Sequence, residues 1–115
     1  MVAPRDLHNA ERIRDAILQA EGDSVERILF HGSRAMGKAR PTSCYDILVV
    51  MRDPVENWVE ASMRLSGLFD DFERPVDVQV FRRTEFEESR PVPATICYPA
   101  DQFGVVLYEK SRAGS

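Results

Sequence analysis

At 115 residues and 13.1 kDa, with 43% apolar and 30% charged residues, the chain has the size and make-up of one globular domain and shows no repeat or low-complexity tract. A formal net charge of -4 argues against a broad nucleic-acid surface, because gripping a phosphate backbone takes a basic footprint. No apolar run approaches the roughly 18 residues that cross a membrane, Met1-Val2-Ala3-Pro4 opens no signal peptide, and the distant Cys44 and Cys97 form no C-x-x-C motif or disulfide framework, so a reducing cytoplasm is the expected setting.

The chain opens with a helix. Asp6 is placed to cap it, and Leu7, Ala10, Ile13, Ile17 and Leu18 recur at helical spacing until Gly22 stops the run. This surface helix with one apolar stripe carries little functional weight. Val25 to His31 reads as a first strand, and Gly32-Ser33 opens a short helical turn through Met36 that Gly37 ends. Lys38 to Ser43 is a loop containing Pro41, and Tyr45 to Met51 is a second strand. Asp53-Pro54 with Glu56 is a helix-start signal. The helix after it places Val55, Trp58, Val59, Ser62, Leu65 and Phe69 on one face, and Trp58 at this spacing is read as core packing ahead of a ligand platform.

A third strand spans Pro75 to Phe81, with Val76, Val78 and Val80 on one face and Asp77, Gln79 and Phe81 on the other. An aspartate between valines on a central strand is costly unless something pairs with it. Thr84-x-x-Glu87 reads as a capping box, Pro91 to Pro99 fits a kinked helix or a loop, and Val105 to Tyr108 reads as an edge strand or closing segment. Residues 111–115 look like a loose tail. The alternation predicts an α/β (α+β) fold, a small mixed β-sheet with helices packed on it, in one domain over residues 1–110.

The chemistry concentrates between Phe30 and Val50. A glycine lets the backbone approach a ligand closely, and a serine opening a helical turn offers N–H and hydroxyl donors. Gly32-Ser33-Arg34-Ala35-Met36-Gly37 is followed by Ser43-Cys44-Tyr45-Asp46 entering a strand, and Val76-Asp77-Val78 follows after one more helix. Each piece alone has an ordinary reading. Asp46 could cap a turn, Asp77 could pair with Arg74, Arg82 or Arg83, Arg34 and Lys38 could be solvated charges, and His31 could be a packed or exposed histidine. Their joint order changes the odds.

From about Ile28 to Glu109 the chain resembles the nucleotidyltransferase superfamily that includes DNA polymerase beta, and most closely its minimal members, whose signature is G-S-x-A-x-G followed by S-D-x-D. The resemblance implies the nucleotidyltransferase fold. It implies that Gly32 and Ser33 hold the phosphates of ATP or another nucleoside triphosphate, with Arg34 and Lys38 balancing their charge. Asp46 and Asp77 are then the catalytic, metal-binding carboxylates for Mg2+ or Mn2+, which favour oxygen ligands. Met36 stands where many relatives carry a second arginine, and Cys44 stands where the first metal-binding aspartate is expected. A thiol is a soft ligand and does not replace a carboxylate toward Mg2+, so nucleotide binding is expected to persist while transfer is strongly reduced. A zinc set of His31, Cys44, Asp46 and Asp77 lacks any recognised spacing.

Minimal members are commonly encoded beside an all-helical HEPN protein and act as antitoxins that bind it and AMP-modify a tyrosine. By that resemblance the partner is a HEPN-type helical protein, with a homo-oligomer as a further way to build the acceptor surface. The alternative is a catalytically impaired, nucleotide-binding antitoxin that acts by occupying its partner. A free-standing transferase for a small molecule needs a substrate pocket that so short a chain does not reveal.

Overall fold

The computed structural model describes residues 1–53 and 57–110. The expected helix start at Pro54 and Glu56, the packing of Val55 and the tail at 111–115 lie outside the described residues. Helix α1 spans Pro4–Glu21 and leads through a 3₁₀ turn, Gly22–Ser24, into β1, Val25–His31. Then come α2 (Gly32–Ala35), β2 (Tyr45–Met51), α3 (Trp58–Gly67), β3 (Val76–Arg82), α4 (Arg83–Ser89), α5 (Cys97–Phe103) and β4 (Val105–Glu109).

The strands form one mixed sheet in the order β3-β2-β1-β4. β1 runs antiparallel to both β2 and β4, and β2 and β3 are parallel, a pairing that requires a crossover, here carried by α3. One sheet face receives Ile28, Phe30, Tyr45, Ile47, Val49, Val78 and Val80 and packs against Ala10, Ile13 and Ile17 of α1 and Ala61 and Leu65 of α3. The other receives Leu29, Leu48 and Val50 beneath Phe86 of α4 and Cys97 and Ala100 of α5. The result is a mixed sheet between helical layers, the nucleotidyltransferase fold.

Four local expectations are corrected. Asp6 does not cap α1. Pro4, whose fixed φ and missing N–H suit the first helical position, begins the helix after Ala3 and leaves Asp6 buried in its first turn. β3 is an edge strand, not a central one, because β4 adds to β1 on the far side of the sheet; Asp77 is therefore exposed and escapes a full burial cost. Trp58 is 45% exposed and is not core. α3 instead lies along the open edge of β3, where Ser62 Oγ accepts from Val80 N–H (3.0 Å) and Ser66 Oγ from Val78 N–H (3.3 Å), covering edge donors that would otherwise be unpaired. The helix begins at Asn57, whose side chain accepts from Glu60 N–H (2.9 Å). Thr84 forms no capping box. Its hydroxyl and its N–H (3.3 Å for the latter) go to Asp53, so the carboxylate read as a start signal for the preceding helix serves the first turn of α4.

Candidate active site

β1 ends at His31, and its register sets His31 opposite Asp46 in β2. The parallel pairing of β2 with β3 sets Asp46 opposite Asp77. Residues directly opposite in neighbouring strands share a face and lie about 5 Å apart along the sheet, so three strands present one row: imidazole, carboxylate, carboxylate. The alternation of β2 sends Asp46 to the face shared by Leu48 and Val50, at the strand's entrance, where it is half-buried. Burial raises the Asp46 carboxyl above the usual range and the Asp77 charge adds to the rise, with His31 opposing it. His31 is only 8% exposed, and burial lowers its pKa against the pull of Asp46, the Gln79 side chain and Asp77.

Gly32 stands at the corner of this row with φ +83°, in the left-handed region, and a Cβ there would overlap the Asp46 carboxylate. The glycine therefore brings the start of α2 directly against the acid. The turn that follows is closed by Met36 N–H to Gly32 O (3.2 Å) and Lys38 N–H to Ser33 O (2.9 Å), with Gly37 also at positive φ. Ser33 is half-buried and Lys38 exposed, and among the described residues neither side chain has a protein partner.

The structure does not bring Arg34 to the row. Its guanidinium, 8% exposed, donates to Asp6 Oδ1 (3.0 Å), Ser43 O (2.8 Å), Arg40 O (3.4 Å) and Pro41 O (3.3 Å), and lies 4.8 Å over the Tyr45 ring. Tyr45 donates its hydroxyl to the same Asp6 oxygen (2.9 Å) and accepts from Asn9 (2.9 Å). These donors are committed to bracing α1 and the loop that delivers Cys44 and Asp46, which corrects the assignment of Arg34 to phosphate. It also corrects the view of α1 as functionally idle. One signal was present: Asp6 continues the 6-10-13-17 stripe that Ala10, Ile13 and Ile17 bury, and a carboxylate in an apolar stripe calls for a buried cation.

Cys44 is exposed at the entrance of β2, two residues before Asp46. Among the described residues no group of three or more histidine, cysteine, aspartate or glutamate side chains is placed to hold a metal, so the four-ligand zinc set is not assembled. Asp46 and Asp77 are two carboxylates in register, of the hard-oxygen chemistry that suits a divalent cation. A residue missed in the sequence is Gln79, whose Nε2 donates to Asp77 Oδ2 (3.1 Å); its place two residues after Asp77 on the same strand face was the available signal. No helix of the described residues is long and apolar enough to cross a membrane.

The fold is similar to that of a candidate nucleotidyltransferase from Sulfolobus solfataricus, at 23% identity and a TM-score of 0.64, covering 94% of this chain and 84% of that one. It is also similar to a toxin–antitoxin structure with AMP-PNP (20% identity, TM-score 0.63) and to a mutant of the toxin–antitoxin MntA-HpeT (19% identity, TM-score 0.64). Each of these two comparisons covers 90% of this chain and 76% of that one, and at such identities the likeness is one of fold. No curated protein is significantly similar in sequence. The family model for polymerase beta nucleotidyltransferases matches residues 12–113, nearly the whole chain, and the chain belongs to that family.

Proposed function

We propose that residues 1–110 form one minimal nucleotidyltransferase domain that binds ATP with Mg2+ or Mn2+ and transfers AMP to a hydroxyl of a partner protein, as the cytoplasmic antitoxin of a helical HEPN-type toxin. The observation that carries this reading is the in-register pair Asp46 and Asp77 set against the Gly32-Ser33 turn, where only a glycine leaves room beside the Asp46 carboxylate. The likeness in fold to a toxin–antitoxin structure with AMP-PNP supports a nucleotide ligand and a toxin as partner.

In this mechanism the N–H and hydroxyl of Ser33 at the start of α2 hold the outer phosphates, and Lys38, exposed in the adjoining loop, supplies positive charge. Asp46 and Asp77 would hold the divalent cation, which would neutralise triphosphate charge and polarise the reacting phosphoryl group. Asp77, exposed at the sheet edge, accepts the proton of the acceptor hydroxyl as its oxygen attacks the α-phosphorus and pyrophosphate leaves. Arg34 acts indirectly, by fixing the loop before β2.

Cys44 favours a second reading. Its thiol stands where a further carboxylate would complete the cation cage, so the chain keeps nucleotide binding, loses most transfer, and neutralises its partner by occupying it. A single assay separates the two. Labelled ATP with Mg2+ or Mn2+ is offered to this chain, Cys44→Asp and Asp77→Ala in the presence of a co-purifying partner. Transfer is expected to be weak in the unsubstituted chain, to rise by roughly 100-fold or more in Cys44→Asp as a cation ligand is restored, and to vanish in Asp77→Ala. Absence of transfer even in Cys44→Asp, with neutralisation surviving Asp77→Ala, would leave the binding-only reading.

A further inference from the structure

Among the described residues, two buried side-chain atoms lack a hydrogen-bond partner: His31 Nε2 and Gln79 Oε1. Both side chains lie on the sheet face that carries Asp46 and Asp77: His31 is opposite Asp46, which is opposite Asp77, and Gln79 is two residues along β3 from Asp77. Buried polar atoms in folded proteins are almost always paired, and these two are complementary: a neutral imidazole protonated at Nε2 donates, and an amide oxygen accepts. The other end of the same amide is already engaged, with Gln79 Nε2 donating to Asp77 Oδ2 at 3.1 Å.

We propose that His31 and Gln79 are positioning residues for Asp77: His31 Nε2–H donates to Gln79 Oε1, fixing the amide so that its NH2 group holds one oxygen of Asp77 and leaves the other free toward the cation and the acceptor hydroxyl. This rests on the function proposed above for Asp77. The need for it follows from where Asp77 sits. It is exposed on an edge strand, and among the described residues it forms no ion pair with Arg74, Arg82 or Arg83, so nothing else sets its rotamer. An arginine or lysine in that place would fix the carboxylate but neutralise it toward the cation, whereas an amide orients it and leaves its charge intact. The amide alone could turn end for end. A buried ring, 8% exposed, on a strand end whose register is fixed opposite Asp46 is placed to remove that freedom.

The test uses the full chain, Mn2+ with ATP followed by electron paramagnetic resonance, and the side-chain amide signals of Gln79 in a 1H–15N spectrum. His31→Phe keeps the ring and removes the donor, His31→Gln restores a donor, and Gln79→Leu removes the amide. His31→Phe and Gln79→Leu are each expected to weaken Mn2+·ATP binding by roughly 10-fold, the lower range for partners of metal ligands. The double variant should be no weaker than either alone, because both act through one chain of hydrogen bonds. His31→Gln should regain most of the affinity, and the Gln79 amide signals should move in His31→Phe and shift back toward their original positions in His31→Gln. A purely structural role would change melting temperature without this pattern of rescue and non-additivity. Unmoved Gln79 signals in His31→Phe, or unchanged Mn2+·ATP affinity in both single variants, would overturn the inference while leaving the proposed function standing. Failure of the unsubstituted chain to bind Mn2+·ATP would remove the function itself and this role with it.

Discussion

Gly32 answers two demands: its positive φ is costly to any other residue, and a Cβ there would have to push the Asp46 carboxylate aside. The left-handed conformation costs an L-residue about 1–2 kcal/mol. Gly32→Ala is therefore expected to lower stability by about 1–2 kcal/mol in a denaturant titration and, by displacing the Asp46 carboxylate, to weaken nucleotide binding strongly. Gly22 provides the contrast: its φ is -50° and a Cβ there meets nothing within 4 Å, so Gly22→Ala should stabilise by about 0.4–1 kcal/mol by restricting the unfolded chain. Equal midpoints for the two variants would refute the geometry assigned to Gly32. Arg34 is a different kind of residue. Its pair with Asp6 is almost fully buried, and removing one partner strands the other, at about 3–5 kcal/mol. Arg34→Met should lose stability on that scale, and adding Asp6→Leu should recover part of it. An arginine held out to phosphate would instead lose nucleotide affinity with the melting temperature intact.

Among the elements, β3 depends on its neighbour to close an open edge. Ser62 and Ser66, four residues apart on α3, present one hydroxyl each to the outward N–H groups of Val80 and Val78. Ser62→Ala and Ser66→Ala should each cost about 1 kcal/mol, and the pair together should speed hydrogen exchange at those two amides while leaving the amides of β1 slow. Unchanged exchange at Val78 and Val80 would mean the serines do not guard the edge. This arrangement also explains what the sequence concealed. Short apolar runs marked β1 and β2 to the residue, two-residue alternation marked β3, and the Gly32-Ser33 turn announced α2, because those signals are local. α3 was misread because a helix lying along a sheet edge buries a narrow strip, Ala61 and Leu65, and leaves Trp58 and Val59 outside it although they share the apolar phase. The side of the sheet on which β4 adds, and hence the edge position of β3, is a tertiary choice with no local mark. Asp46 and Asp77 were legible as acids on strands; the row they form with His31 depends on two registers that pairing alone decides.

Over the whole molecule, the fold concentrates unfavourable charge in one place. Helices cover both faces of the sheet, yet at its β2 entrance burial and the nearby Asp77 charge raise the pKa of Asp46. The sign follows directly. A folded-state pKa above the unfolded 3.8 means the native state holds the proton more tightly, so the contribution of Asp46 to stability is fully present below 3.8 and declines as pH rises through the raised value. At neutral pH the ionised carboxylate opposes folding of the unliganded chain. A divalent cation reverses that relation, since the paired charges then stabilise a bound state. Asp46→Asn is accordingly expected to melt above the unsubstituted chain at pH 7 without ligand, with the gap narrowing toward pH 4. With ATP and Mg2+ at about 100 times the dissociation constant, the unsubstituted chain should gain about 2.7 kcal/mol, a melting-point rise on the order of 10 °C, while Asp46→Asn gains little. The order of the two melting temperatures should therefore invert between the unliganded and ATP–Mg2+ samples. An Asp46→Asn variant that melts no higher than the unsubstituted chain without ligand, at pH 7, would show that this carboxylate is not held at a cost for the sake of its ligand.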